Sequence, residues 1–223
     1  FRVDAGEKLA IVGPTGAGKS TLIRLLGRFY DFPDGMIFLD GVDINRLHSR
    51  DIRTRIGVVL QDFHIFSGTI LDNIALDSDK VSRDKAIESA MTVNAHDFIM
   101  NLPQGYDTPL LERGSNLSQG QRQLLAFARV LAADPEVLVL DEATASIDTE
   151  TELLIQDGLQ KLLVNRTAIL IAHRLQTIQQ ADKVLVLEGG EVAEYGTHAE
   201  LLELQGLYHT LHELQFQVVK AAP

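Results

Sequence analysis

A glycine-rich run near the start of the chain carries the residue types that bind phosphate. An apolar stretch at 8–12 precedes it, a helix is predicted to begin near Lys19, and the run fits the pattern G-x-x-x-x-G-K-[ST] at every fixed position. Its glycines let backbone N–H groups converge on phosphate oxygens, and the helix N-terminus adds a favourable dipole. We expect the Lys19 ammonium to neutralise the β- and γ-phosphates of a nucleotide and the Ser20 hydroxyl to bind Mg²⁺. The residues predicted to bind nucleotide here are Gly13, Pro14, Thr15, Gly16, Ala17, Gly18, Lys19, Ser20 and Thr21.

Two acidic residues, Asp141 and Glu142, directly follow the apolar run 137–140. The carboxyl ends of buried strands are where open α/β sheets build their sites. We expect Asp141 to hold the Mg²⁺ shell and Glu142 to activate a water molecule for in-line attack on the γ-phosphate. By itself such a pair could equally well cap the segment that follows it. The phosphate-binding pattern in the same chain favours the catalytic interpretation.

A polar stretch before a predicted helix provides a second anion-binding element, Asn116-Leu117-Ser118-Gln119-Gly120-Gln121-Arg122-Gln123. Ser118 and Gln121 have the spacing of a capping box, which is a sufficient structural reason for both residues. A capped helix N-terminus beside a glycine is also a natural anion site. Both interpretations of Ser118 therefore stand together.

This stretch resembles the signature motif of the ABC transporter family, and Leu117–Gln121 precedes the Asp141-Glu142 strand as in that family. The resemblance extends over essentially the whole chain. Gln61 resembles the Q-loop glutamine, Ser146-Ile147-Asp148 the D-loop, and His173 the switch histidine. Two further segments are similar to those of exporters. They are the Q-loop flank Phe66-Ser67-Gly68-Thr69-Ile70 and the X-loop Glu112-Arg113-Gly114.

The resemblance implies an ATP-hydrolysing domain that pairs head to tail with a second such domain, identical or different, and encloses two ATP molecules with Mg²⁺. Ser118, Gly120 and Gln121 would then contact the nucleotide held by the other subunit, and Asp148 would act across the interface. In catalysis Glu142 would be the general base, His173 would hold the γ-phosphate, and Gln61 would sense Mg²⁺ or the attacking water.

Three positions depart from the family pattern, namely Gln119, Leu111 and Ile147. They leave open whether the second domain is identical or carries a weakened site. The alternatives are an importer ATPase subunit, an ABC ATPase of the DNA-repair type, and a regulatory domain that binds ATP without turnover. Glu142 and His173 argue against the last of these. The two exporter-like segments favour an exporter over an importer, and the absence of a long coiled-coil insertion disfavours the DNA-repair type.

Alternating elements predict an α/β fold, a P-loop NTPase core with a mainly parallel sheet, antiparallel β elements and an inserted helical lobe. The core would comprise 1–66 and 134–223, and the lobe 67–133, where we expect helices and no strand. Predicted strands are 8–12, 36–39, 56–60, 137–140, 168–172 and 184–187, with a hairpin at Gly189-Gly190. Predicted helices are 19–29, 83–93, 95–102, 119–133 and 150–163, and the first has Leu22, Leu25, Leu26 and Phe29 on its apolar face. Two more follow, one opened by a capping box at Thr197–Glu200 and one after Gly206.

The composition of the chain limits the kinds of molecule that it can bind. A net charge of −11, from 20 basic and 31 acidic residues, argues against nucleic-acid binding. No apolar run approaches the roughly 20 residues that a membrane-spanning helix needs.

Because Phe1 begins the chain in the manner of a strand end, we expect a fragment of a longer polypeptide. Its membrane domain and adenine-stacking aromatic would lie upstream, and this domain would lie at the cytoplasmic face of a membrane.

Overall fold

The computed structural model describes residues 1–60, 64–76, 80–141, 148–172 and 174–220. The chain divides into two units. Unit 1 comprises Phe1–Ile56, Val137–Ala143 and Arg166–Pro223, and unit 2 comprises Gly57–Glu136 and Thr144–Asn165. The segment 67–133, predicted as a helical lobe, lies within unit 2, which also takes in 57–66, 134–136 and 144–165.

The strands follow the predicted order with small shifts at their ends. In chain order they are β1 (Lys8–Val12), β2 (Phe38–Leu39), β3 (Val42–Asp43), β4 (Ile56–Val59), β5 (Gly68–Thr69), β6 (Pro109–Leu110), β7 (Val137–Asp141), β8 (Thr167–Ile171), β9 (Lys183–Glu188) and β10 (Glu191–Gly196). The expected strand at 36–39 is reduced to two residues, which pair antiparallel with β3. β4 begins in unit 1 and continues into unit 2.

Unit 1 contains five strands of a mainly parallel sheet in the order β10-β9-β1-β8-β7. β1 pairs in parallel with both β8 and β9, and only β10 runs antiparallel, through the hairpin at Gly189-Gly190. Leu9, Ala10 and Ile11 are 0% exposed, as expected for a central strand covered on both faces. Because parallel strands end at the same edge, the residues after β1 and at the end of β7 lie together there.

The seven predicted helices are all present, with bounds within three residues of those expected, and the described part of the chain has three further short helices, Ser49–Arg55, Ile70–Ala75 and Leu175–Gln179, that were not predicted. In chain order the helices are α1 (Lys19–Leu26), α2 (Ser49–Arg55), α3 (Ile70–Ala75), α4 (Arg83–Thr92), α5 (His96–Met100), α6 (Gln119–Ala133), α7 (Thr149–Leu162), α8 (Leu175–Gln179), α9 (His198–Glu203) and α10 (Leu207–Lys220). Thr197 and Glu200 form the predicted capping box of α9. Among the described residues, no helix combines the length and apolar character needed to cross a membrane.

α1 ends three residues before its predicted end at residue 29. Arg28 adopts a left-handed φ of 52°, and Phe29 N–H donates to the Arg24 carbonyl at 2.8 Å. This is the hydrogen bond that closes a Schellman motif, which ends a helix. Phe29 is therefore outside the helix and 54% exposed, whereas Ile23, which the expected apolar face did not include, is fully buried.

Unit 2 is built around α6, which packs against α3, α4 and α7. The side chains of Leu124, Leu125 and Phe127 are buried along it. The expectation that 67–133 holds no strand is wrong, because β5 and β6 form a two-residue antiparallel ladder. A ladder of two residues is too short to produce an alternating pattern in the sequence.

Candidate functional site

The glycine-rich loop connects the buried end of β1 to the first turn of α1. Gly13 has φ 151° and Gly18, the N-cap of α1, has φ 101°, both in the region that favours glycine. Gly18 has no side chain with which to cap α1, so the first N–H groups of the helix point to where a phosphate can bind. The turn is closed by Ala17 N–H, which donates to the Pro14 carbonyl at 3.2 Å.

The backbone of the β9–β10 hairpin packs against this loop at two points. A Cβ on Gly13 would lie 2.2 Å from the carbonyl oxygen of Leu187. Gly190 N–H donates to the Ala17 carbonyl at 3.1 Å. The sequence predicted Gly189-Gly190 only as a turn, and nothing local in it could show that the turn supports the phosphate loop.

Lys19 folds back over the loop that precedes it. Its ammonium donates to the carbonyl oxygens of Gly13 at 2.7 Å and Pro14 at 2.9 Å. Partial burial lowers the pKa of Lys19, and the nearby carboxylate of Asp141 opposes that shift. The side chain thus brings a positive charge to the loop where a phosphate would be held.

Ser20 and Asp141, both predicted to bind Mg²⁺, are brought together at the edge of the sheet. The Ser20 hydroxyl donates to Asp141 Oδ2 at 3.4 Å. A hydroxyl and a carboxylate are oxygen ligands of the kind that Mg²⁺ prefers. The two residues therefore fit a Mg²⁺ ion held between protein and phosphate oxygens.

The second predicted anion-binding element lies in unit 2, at the start of α6. Ser118 Oγ accepts from Gln121 N–H at 3.2 Å, and Gln121 Oε1 accepts from Ser118 N–H at 2.9 Å. The capping interpretation is confirmed, and Gly120 is buried beside it. Asp148 caps α7 by accepting from Thr151 N–H at 2.9 Å, and that backbone hydrogen bond lowers the pKa of its carboxyl group.

The two exporter-like segments also lie in unit 2, and each adopts a defined local structure. Thr69 forms a capping box with Asp72 at the start of α3. Glu112–Gly114 is a short 3-10 turn in which Arg113 has φ 56°. Gly114 lies so close to Ile65 that a Cβ there would be 3.0 Å from the isoleucine side chain.

Five predicted residues lie outside the described part of the chain. They are Gln61, Glu142, Ser146, Ile147 and His173. Their assignments remain predictions from the sequence. The structure places the phosphate loop with Ser20 and Asp141 in unit 1, and the Ser118 and Asp148 caps in unit 2.

Comparison with known proteins identifies close relatives. A family model described as ABC transporter matches residues 1–145. The uncharacterized ABC transporter ATP-binding protein YfiC of Bacillus subtilis is 50% identical over 97% of this chain and 36% of its own length. The probable multidrug resistance ABC transporter ATP-binding/permease protein YheH of the same species is 46% identical over 96% of the chain and 32% of its own length.

A solved structure agrees with these relatives. The structure of a bacterial Atm1-family ABC exporter with ATP bound superposes with a TM-score of 0.87 at 45% identity, over 100% of this chain and 38% of that one. The chain thus spans about a third of the length of the proteins that it matches.

Proposed function

This chain belongs to the ABC transporter family, and we propose that it binds and hydrolyses ATP to drive export of a substrate across a membrane. The observation that carries the proposal is the set of groups at one sheet edge in unit 1. Lys19 lies over the loop at 2.7 Å from the Gly13 carbonyl, and Ser20 lies 3.4 Å from Asp141. Together they supply a cation, an uncapped helix N-terminus and two oxygen ligands, which suit a nucleoside triphosphate with Mg²⁺.

In this proposal the binding and catalytic roles are divided among the residues of the chain. Lys19 and the backbone N–H groups of 16–20 bind the β- and γ-phosphates. Ser20 and Asp141 would hold Mg²⁺, which when bound offsets the negative charge of the phosphates. Glu142 accepts a proton from the attacking water as general base. His173 orients the γ-phosphate, and Gln61 orients the water.

The proposed site is completed by a second ABC domain packed head to tail, either a copy of this chain or a different one. Ser118, Gly120 and Gln121 of one subunit would contact the γ-phosphate bound by the other. The exposed Ser118 at an N-terminus that already favours anions supports this assignment. ATP would then shift the pair towards its closed state, because its γ-phosphate is bound by both subunits only there.

The direction of transport and the membrane partner are inferred from relatives. The protein YheH is named as an ATP-binding/permease protein of multidrug resistance, and the superposed structure is an exporter. These names favour an exporter over an importer subunit or a DNA-repair ATPase. We infer that this domain works at the cytoplasmic face of a membrane, coupled to a transmembrane domain.

A test of this function is Mg²⁺-dependent ATP hydrolysis measured across a range of protein concentrations. Specific activity should rise with concentration, because the proposed site needs two domains. Glu142→Gln should still bind ATP but lose turnover by at least about a hundredfold, the contribution of a general base. Glu191→Gln, the same change at an exposed position on β10, is the matched control and should keep full activity.

A chain that binds ATP but shows no turnover at any concentration would contradict hydrolysis by two copies of this domain. Specific activity that is independent of concentration would contradict the shared site. Full activity of Glu142→Gln would contradict its assignment as general base.

A further inference from the structure

A guanidinium group inside unit 2 holds the segment 64–76 against α6. Arg129, ten residues into that helix, donates from Nη1 to the His64 carbonyl at 2.7 Å and from Nε to the Asn73 carbonyl at 2.8 Å. Its Nη2 donates to Asn73 Oδ1 at 2.9 Å. The Phe66 ring lies beside the same group, with its centroid 5.3 Å from Arg129 Cζ.

Asn73 connects these contacts to the start of α3. Its side chain is 0% exposed. Its Oδ1 accepts from Phe66 N–H as well as from Arg129, and its Nδ2 donates to the carbonyls of Phe66 at 2.9 Å and Thr69 at 3.0 Å. All four hydrogen-bonding positions of the amide are therefore used, so the loop 64–69 and α3 are fixed to one side chain.

Burying a charged guanidinium among neutral acceptors contributes little net stability. Burial lowers the pKa of Arg129 to about 10, so the group is still charged at neutral pH. The three acceptors are neutral oxygens, which compensate for the lost hydration of a cation less well than a carboxylate does. An apolar side chain in such a place is often as stabilising as a buried charge. What the guanidinium supplies is a planar, rigid set of donors that fixes direction.

Two residues predicted to face nucleotide are near, in the sequence, to the segments that Arg129 connects. In the sequence, Gln61 precedes His64 by three residues, and Ser118 caps the N-terminus of the helix that carries Arg129. Ten residues lie between Ser118 and Arg129, and the eleven steps from one to the other rise about 16 Å along the helix axis. A helix of this kind is stiff, so a shift of the 64–69 loop would be passed to the Ser118 end.

We propose that Arg129, together with Asn73, is a positioning residue that makes the loop after Gln61 and the Ser118 helix move as one body during ATP hydrolysis. The inference rests on the proposed ATPase function. Arg129 touches no nucleotide in this proposal. It acts by keeping the loop 64–69 and the N-terminus of α6 in a fixed relation within one subunit.

The test compares Arg129→Lys with Arg83→Lys in the whole chain. Arg83 belongs to the same unit and binds both Asp107 oxygens, at 2.9 and 2.7 Å, but is not bonded to the 64–69 loop. For Arg129→Lys we expect the kcat of ATP hydrolysis to fall between about tenfold and about a hundredfold, as for groups misplaced by about 1 Å. ATP affinity should change less than about twofold, because the phosphate loop is intact. Arg83→Lys should leave both unchanged.

Amide hydrogen exchange of the unmutated chain provides a second measurement that needs no variant to fold. If the loop and helix are one body, Phe66 N–H should exchange with the same denaturant dependence as the buried amides of α6. Much faster, independent exchange at Phe66 would overturn the proposal, and so would a normal kcat in Arg129→Lys. A wild-type chain without ATPase activity would instead reject the proposed function, while the exchange result would still decide whether the loop and helix are coupled.

Discussion

Replacing Gly13 by alanine should disrupt the phosphate loop more than any other single methyl group added there. The added Cβ would lie 2.2 Å from the Leu187 carbonyl oxygen and 3.3 Å from the Ala17 side chain. The first contact is with backbone of β9, which is paired in parallel with β1. A rotamer change cannot relieve it, so the strand end or the loop must move by about 1 Å to restore normal contact.

Two costs add up in this substitution. The φ of 151° at Gly13 is one that alanine rarely adopts, which costs about 1–3 kcal/mol. Forcing β9 and the loop apart adds about 1–3 kcal/mol, as for other overpacked sites. We therefore expect a loss of about 2–6 kcal/mol, a large part of the total stability of about 5–15 kcal/mol of a typical domain. ATP binding should be lost with it, because the loop amides are displaced.

Gly41→Ala is the matched control. Gly41 also lies in unit 1 and has φ 76°, but a Cβ there meets nothing within 4 Å, so it carries the strain without the overlap. Urea unfolding followed by far-UV circular dichroism suits a chain without tryptophan, and ATP binding is measured on the same samples. Equal loss of stability in the two variants would refute the steric reasoning, as would normal ATP binding by Gly13→Ala.

Further predictions concern the caps, the C-terminal helices and α7. Ser118→Ala removes the α6 cap and should lower the free energy of unfolding by about 1 kcal/mol, whereas Ser118→Thr should not. Equal denaturant midpoints for the two variants would contradict this. Partial burial and nearby His212 lower the pKa of His198, so the unfolded chain binds the proton more readily, and stability should fall as pH drops below about 6.5. Denaturation midpoints measured across pH check this prediction. In His198→Gln the midpoint should fall less steeply with decreasing pH than in the unmutated chain. Gly158→Ala places a Cβ 2.8 Å from the Val93 carbonyl oxygen, so it should lower the free energy of unfolding by about 1–3 kcal/mol. The same change at an open helix position would raise it by about 1 kcal/mol. Thermal unfolding distinguishes the two, because only the overlap lowers the melting temperature.

Much of the fold follows from patterns that lie within a few residues of one another. The apolar runs of β1, β7, β8 and β9 predict buried parallel strands because both faces of such strands are covered. The Ser118–Gln121 and Thr197–Glu200 caps span three residues, so their geometry is set locally. The glycine spacing of the phosphate loop is local in the same way, and in the structure Ser20 and Asp141 lie within hydrogen-bonding distance at the sheet edge.

The structure differs from the sequence pattern where a local turn ends a helix early and where a pair of strands is too short to leave a pattern. The apolar residues at 22, 25, 26 and 29 suggested a helix to 29, but the left-handed Arg28 ends α1 earlier and leaves Phe29 exposed. Gly68 pairs with Leu110, 42 positions further along the chain, in a ladder to which each strand contributes only two residues. Periodicity carries no signal for such pairs.

The sequence by itself determined the family, the phosphate-binding loop and the chemistry proposed for its residues, because each rests on residue types at fixed short spacing. Only the tertiary structure decided what supports and connects them. The Leu187 carbonyl beneath Gly13, and the Arg129 guanidinium bonded to His64 and Asn73 across 65 and 56 positions, join distant parts of the chain. Such contacts depend on how strands and helices pack, and packing is decided by the whole buried core rather than by neighbouring residues.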